Sequence, residues 1–178
     1  MTICRETGVG FRNLEWLFPI VITLHNAEEA IWLPGWSNRR CHAQVAPSVL
    51  RFGATVLTVL AFVVTWLSVR SGKQSVWTYL AFGYMVAMLA NALIPHIAVS
   101  VATRRYMPGV ATAVALNLPV LSLLVVLALG DGYVSGWKAA AYSAAVPGLL
   151  LLSLLVLFKL GKILSKSFLW NSQPGRSE

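Results

Sequence analysis

Leu14-Glu-Trp-Leu-Phe-Pro-Ile-Val-Ile-Thr-Leu-His25-Asn-Ala-Glu28-Glu29-Ala-Ile-Trp32-Leu33 is the stretch on which the fold turns. A spanning helix needs about 20 mostly apolar residues, and this run has that length while holding an imidazole and two adjacent carboxylates. Only about 12 apolar-run residues precede His25, too few to span alone, so part of the polar cluster must be immersed. The run is not a cleaved signal, because the cluster interrupts its core and no small-x-small site follows. Trp32-Leu-Pro-Gly-Trp36 after it reads as a tryptophan pair at headgroup level and a helix stop.

Working outward, four more apolar runs follow at about 48–70, 75–103, 108–130 and 136–159, and the first occupies about 14–33. Gly72-Lys73 and Asp131-Gly132 mark tight turns, and Pro108-Gly109 opens the fourth run. The expected fold is all-α: an integral membrane bundle of about five transmembrane helices in a single domain over residues 1–178, with residues 165–178 as a short tail. Composition agrees, with 57% of the 178 residues hydrophobic and 11% charged. So little polar surface cannot cover a soluble globule of this size, and the apolar content excludes a disordered chain.

The net charge is +8. The basic residues stand singly or in pairs between apolar runs, not in a patch among aromatics, so nucleic-acid binding is rejected. Counted by side, five Lys and Arg face nine. The positive-inside rule then puts the carboxy terminus in the cytoplasm and the amino terminus outside. On this topology Cys4 and Cys41 lie on opposite sides and should not pair, and neither belongs to a cysteine metal motif.

A charge at mid-membrane costs on the order of 2.5–3.5 kcal/mol on insertion scales and marks a functional site by default. At about 100° per residue, Glu28 and Glu29 flank His25 on one helix face, so His-x-x-Glu-Glu presents an imidazole and one or two carboxylates to one point. Depth is a second indication. His25 and His96 each lie eight residues from the same-side end of their spans, about 12 Å in. Asn117 and Thr58 fall near that level, and Asn91 lies deeper. Pro95 frees the carbonyl of Asn91 and Pro119 that of Ala115. Such carbonyls must face protein or water, which suggests a polar cavity between the first, third and fourth spans.

These residues also carry a resemblance. His25-Asn-Ala-Glu28-Glu29 with Trp32, then Asn91-Ala-Leu-Ile-Pro-His96, Arg105-Tyr-Met-Pro-Gly109, Thr112-Ala113 and Pro119 resemble the HXXEE family of small multi-span membrane proteins. The resemblance covers roughly residues 14–120 and leaves out the fifth span. It supports the site and implies no particular activity. The expected location is the bacterial plasma (inner) membrane, with the lipid bilayer as partner and a homo-oligomer open.

The candidate catalytic residues are His25, Glu28, Glu29, His96 and Asn91. His25, Glu28, Glu29 and His96 are the candidate metal ligands, since imidazole and carboxylate suit Zn²⁺ or Fe²⁺ with an open position. Without metal, a buried glutamate could serve as general acid and an imidazole as base. The leading expectation is an enzyme acting on a lipophilic, isoprenoid- or lipid-like small molecule, such as an isomerase, cyclase or hydrolase. The alternatives are a proton- or ion-coupled transporter and a non-catalytic accessory protein. Arg104, Arg105 and Tyr106 read as headgroup anchors, Glu15 and Asp131 as loop or interface residues, and His42 as a solvated residue near enough to cap the site.

Overall fold

The computed structural model describes residues 10–40 and 46–171. Cys4, Cys41, His42 and the end of the carboxy tail lie outside the described residues. We label the helices α1 (Phe11–Leu14), α2 (Leu17–Arg40), α3 (Pro47–Ser71), α4 (Val76–Thr103), α5 (Val110–Gly130) and α6 (Gly136–Asn171). The chain is thus an all-α bundle. Four of the described helices, α3, α4, α5 and the Gly136–Gly161 part of α6, are long and apolar enough to cross a membrane. The polar α2 packs among them, mainly on α3 and on the middle of α5.

The apolar core forms where α2, α4 and α5 meet. Phe18 of α2 is buried edge-on to Tyr84 of α4, at 5.2 Å between ring centroids, and Ile22 is buried in the same apolar cluster. Gly83 lets α4 approach α6: a Cβ there would lie 2.7 Å from the Tyr142 carbonyl oxygen, closer than packed helices tolerate. At one end of the bundle the turns are cross-tied. Gln74 N donates to the Tyr133 carbonyl at 2.8 Å, and Asp131 Oδ2 accepts from Phe11 N at 2.7 Å.

Two features depart from what the sequence suggests. The helix stop expected at Pro34-Gly35 does not occur, and α2 continues through Pro34 to Arg40. Proline lacks the N–H that would bond the carbonyl four residues back. Here the Ala30 carbonyl accepts from Arg51 Nε of α3 at 3.4 Å instead. The prolines of α4 and α5 also do more than kink. Ala92–Ala98 around Pro95 and Ala113–Leu121 around Pro119 are π-helical, a geometry that absorbs an extra residue per turn and recurs at functional sites.

Candidate functional site

The π-turn of α4 builds the site. Five residues of an α-helix turn about 140° past a full circle, which would point Asn91 and His96 apart. In the π-helical stretch they share a face, and Asn91 Nδ2 lies 3.2 Å from His96 Nε2. The same amide nitrogen lies 3.4 Å from His25 Nε2 of α2. The two imidazoles are buried and meet edge to face, 4.8 Å between centroids. Glu29, one turn along from His25, completes the group. Its Oε1 is 3.1 Å from His96 Nε2 and 3.9 Å from His25 Nε2. One ligand atom from each of His25, Glu29 and His96 falls within 4.8 Å of the others.

The far nitrogens of both rings are held. His96 Nδ1–H donates to the Pro108 carbonyl at 3.0 Å, since a carbonyl can only accept. His25 Nδ1 is 2.9 Å from Thr112 Oγ1, whose own proton goes to Glu28 Oε2 at 2.6 Å; His25 Nδ1 is therefore the donor. In neutral rings both Nε2 atoms are acceptors, and the Asn91 amide nitrogen lies within hydrogen-bonding reach of each. The 3.1 Å contact of His96 Nε2 with the Glu29 carboxylate is an ion pair when a proton sits on that nitrogen. The same nitrogens can instead turn to a metal, as in metal-binding histidines whose other ring nitrogen is hydrogen-bonded.

Glu28 takes a separate place. Its Oε1 accepts from Gly109 N at 2.7 Å and from the Tyr106 hydroxyl, and its Oε2 accepts from Thr112 N at 2.9 Å and from Thr112 Oγ1. It ties α2 to the α4–α5 loop and stands outside the His25–Glu29–His96 group. Tyr106, expected as a headgroup anchor, turns its hydroxyl onto Glu28, while its ring stays exposed. Burial first, and then the hydrogen bond and charge of Glu28, push this phenol up to about 12. Gly109 sits at φ +95°, and a Cβ there would come 2.6 Å from His96 Nδ1 and 3.2 Å from His25 Cε1. Pro108-Gly109 and Thr112 were legible as motif residues; their role as the wall behind both rings was not.

The remaining polar residues do not converge. Asn26 Nδ2 donates to Thr58 Oγ1 at 2.8 Å and to the Ala54 carbonyl, tying α2 to α3. Among the described residues, buried Asn117 has no hydrogen-bond partner for either amide atom. Glu15, expected at an interface, is buried just ahead of α2, near Ser68 and Arg12.

The cavity also differs from the expected one. A space of about 360 Å³ lies between α2, α3, α4 and α6. The fifth apolar run walls it through Pro147, Leu150, Leu154 and Phe158, while α5 contributes no lining residue. Glu29 and Asn91 belong both to the histidine group and to the cavity wall.

Residues 16–125 match the family described as "Protein of unknown function with HXXEE motif". Over 147 residues the chain is 35% identical to "Uncharacterized protein YrkK" of Bacillus subtilis (strain 168), covering 81% of this chain and 92% of that protein. No solved structure matches.

Proposed function

The chain belongs to the HXXEE family, and from its site we propose that it is a metal-dependent membrane enzyme acting on a lipophilic substrate. The observation that carries this reading is that Glu29 is shared between a two-histidine, one-carboxylate group and an apolar cavity. His25 Nε2, His96 Nε2 and the Glu29 carboxylate are the ligands. The set suits Zn²⁺ or Fe²⁺ and leaves positions open. A metal bound there supplies Lewis-acid polarisation of a substrate oxygen or activation of a water. The protein's own groups do the rest. Thr112 and the Pro108 carbonyl hold the rings, Glu28 holds Thr112 and the loop, and the Asn91 amide, which otherwise meets both Nε2 atoms, would be released by their coordination to donate to a substrate oxygen at the cavity boundary. Fixing reacting groups in this way lowers the entropic cost of reaction.

The test is metal content of the detergent-purified chain after exposure to Zn²⁺ or Fe²⁺, followed by competition with a chelator. Near-stoichiometric metal is expected. Its affinity should fall by about 100-fold or more in His25→Ala and His96→Ala, as loss of one of three ligands implies. A protein that takes up no metal, or binds it equally well without either histidine, removes the reading. Metal-free protein that moves protons across liposomes would point to transport instead.

A further inference from the structure

We propose that the cavity binds an uncharged, single-chain amphiphile, such as a monoacyl ester or a long-chain alcohol, which enters sideways from the lipid between α4 and α6. The proposal names the substrate class of the metal site. It rests on that reading for the fate of the polar head, while binding itself stands on the cavity.

Size comes first. A volume of about 360 Å³ lies at the small end of ligand pockets, roughly 300–1,000 Å³, which favours one chain over the two of a phospholipid. Chemistry comes next. The wall is aliphatic and aromatic, with Leu57, Met88, Leu154 and Phe158 from three helices. Its polar members are few and partly committed. Tyr84 already donates to the Leu57 carbonyl at 3.0 Å, and the Asn26 amide to α3. The Asn91 amide nitrogen is shared between His25 Nε2 and His96 Nε2, which leaves the Glu29 carboxylate to meet a head group. Among the described residues no lysine or arginine lines the space, and Glu29 is the one charged lining residue. A phosphate therefore finds no cationic cradle of the kind that recognises it. A hydroxyl head group needs only an acceptor, which the Glu29 carboxylate supplies.

The entrance follows from exposure. Of the lining residues, Ile94 of α4 and Leu151 of α6 are the exposed ones, at 70% and 67%. Both are apolar and lie in helices that qualify as membrane spans, so the mouth faces acyl chains, not water. An amphiphile already in the bilayer can reach Glu29 and Asn91 without crossing a polar layer.

The experiment uses the full chain in neutral detergent with three diazirine-bearing probes: a monoacylglycerol, the matching fatty acid and a lysophosphatidic acid. Labelled peptides are mapped by mass spectrometry. The monoacylglycerol probe should label residues 88–95 and 147–158, be displaced by unlabelled monoacylglycerol, and exceed both anionic probes by about tenfold, a difference of about 1.4 kcal/mol. Ala54→Trp, which fills the cavity from α3, should abolish this labelling, and the milder Ala54→Leu should weaken it with helix content unchanged. Equal labelling by the anionic probes, labelling elsewhere, or undiminished labelling in a folded Ala54→Trp chain overturns the proposal. Metal content of the same samples reads the metal assignment separately. Cavity labelling in a chain that takes no metal supports the lipid site and removes the chemistry; bound metal without cavity labelling overturns the lipid site and spares the metal.

Discussion

Where α2 meets the α4–α5 loop, Glu28 receives four hydrogen bonds from Tyr106, Gly109 and Thr112. One residue on, Glu29 faces the cavity and meets imidazole nitrogens, with 24% of its side chain exposed. The same residue type at adjacent positions thus does two jobs. Glu28 spends its acceptor capacity on the fold, and Glu29 turns to the two imidazoles and the cavity, where the proposed ligand would meet it. A carboxylate that is fully hydrogen-bonded stabilises, whereas a buried one short of donors is costly unless a cation joins it. In this pair the neighbour fixes the frame, and the frame sets Glu29 beside the two imidazoles.

The largest expected effect separates the two directly. Glu28→Ala strands the main-chain N–H groups of Gly109 and Thr112 and should cost about 3–5 kcal/mol of stability. Glu29→Ala in metal-free protein should cost less than about 1 kcal/mol. Unfolding titrations in mixed micelles measure both, and equal losses would erase the distinction.

Next comes the loop that Glu28 holds. Gly109→Ala adds a left-handed strain and a clash with the His96 ring, together about 2–4 kcal/mol. Gly72 lies at φ +77°, ψ −161° with open space around it, so Gly72→Ala carries backbone strain without a clash, about 1–3 kcal/mol. If the two variants were equally mild, the loop would not be packed against the rings as described.

The smallest effect is at Tyr106. Tyr106→Phe removes one of the Glu28 donors and should cost about 0.5–1.5 kcal/mol near neutral pH. The folded phenol titrates at about 12, above its ordinary 10.0. Its contribution is therefore complete below about pH 10 and fades as pH rises toward about 12. The stability difference between wild type and Tyr106→Phe should shrink over that window, and a constant difference would detach the phenol from Glu28.

Much of this was legible from the chain. The apolar runs mark the helices, because lipid demands long stretches with internally satisfied backbones. The two rings do meet as expected, although the equal distances from helix ends on which that expectation rested do not hold: α2 runs on to Arg40, 15 residues past His25, while α4 ends at Thr103, 7 past His96. Other parts depend on groups brought together from afar. Pro34 reads as a stop until Arg51, 21 residues on from Ala30, takes the freed carbonyl. Asn91 and His96 read as one to two turns apart until the π-turn brings them onto one face. The fifth run carries no motif, and its role as cavity wall rests on shape alone.

The sequence by itself determined an all-helical membrane bundle with a histidine–glutamate layer, because apolar length and the cost of immersed charge are properties of the local chain. Only the tertiary structure decided which glutamate is fastened and which is offered. His25, Glu28 and Glu29 share one helix face, and their different fates come from what stands opposite each: a loop of donors for Glu28, and a second imidazole beside an apolar cavity for Glu29.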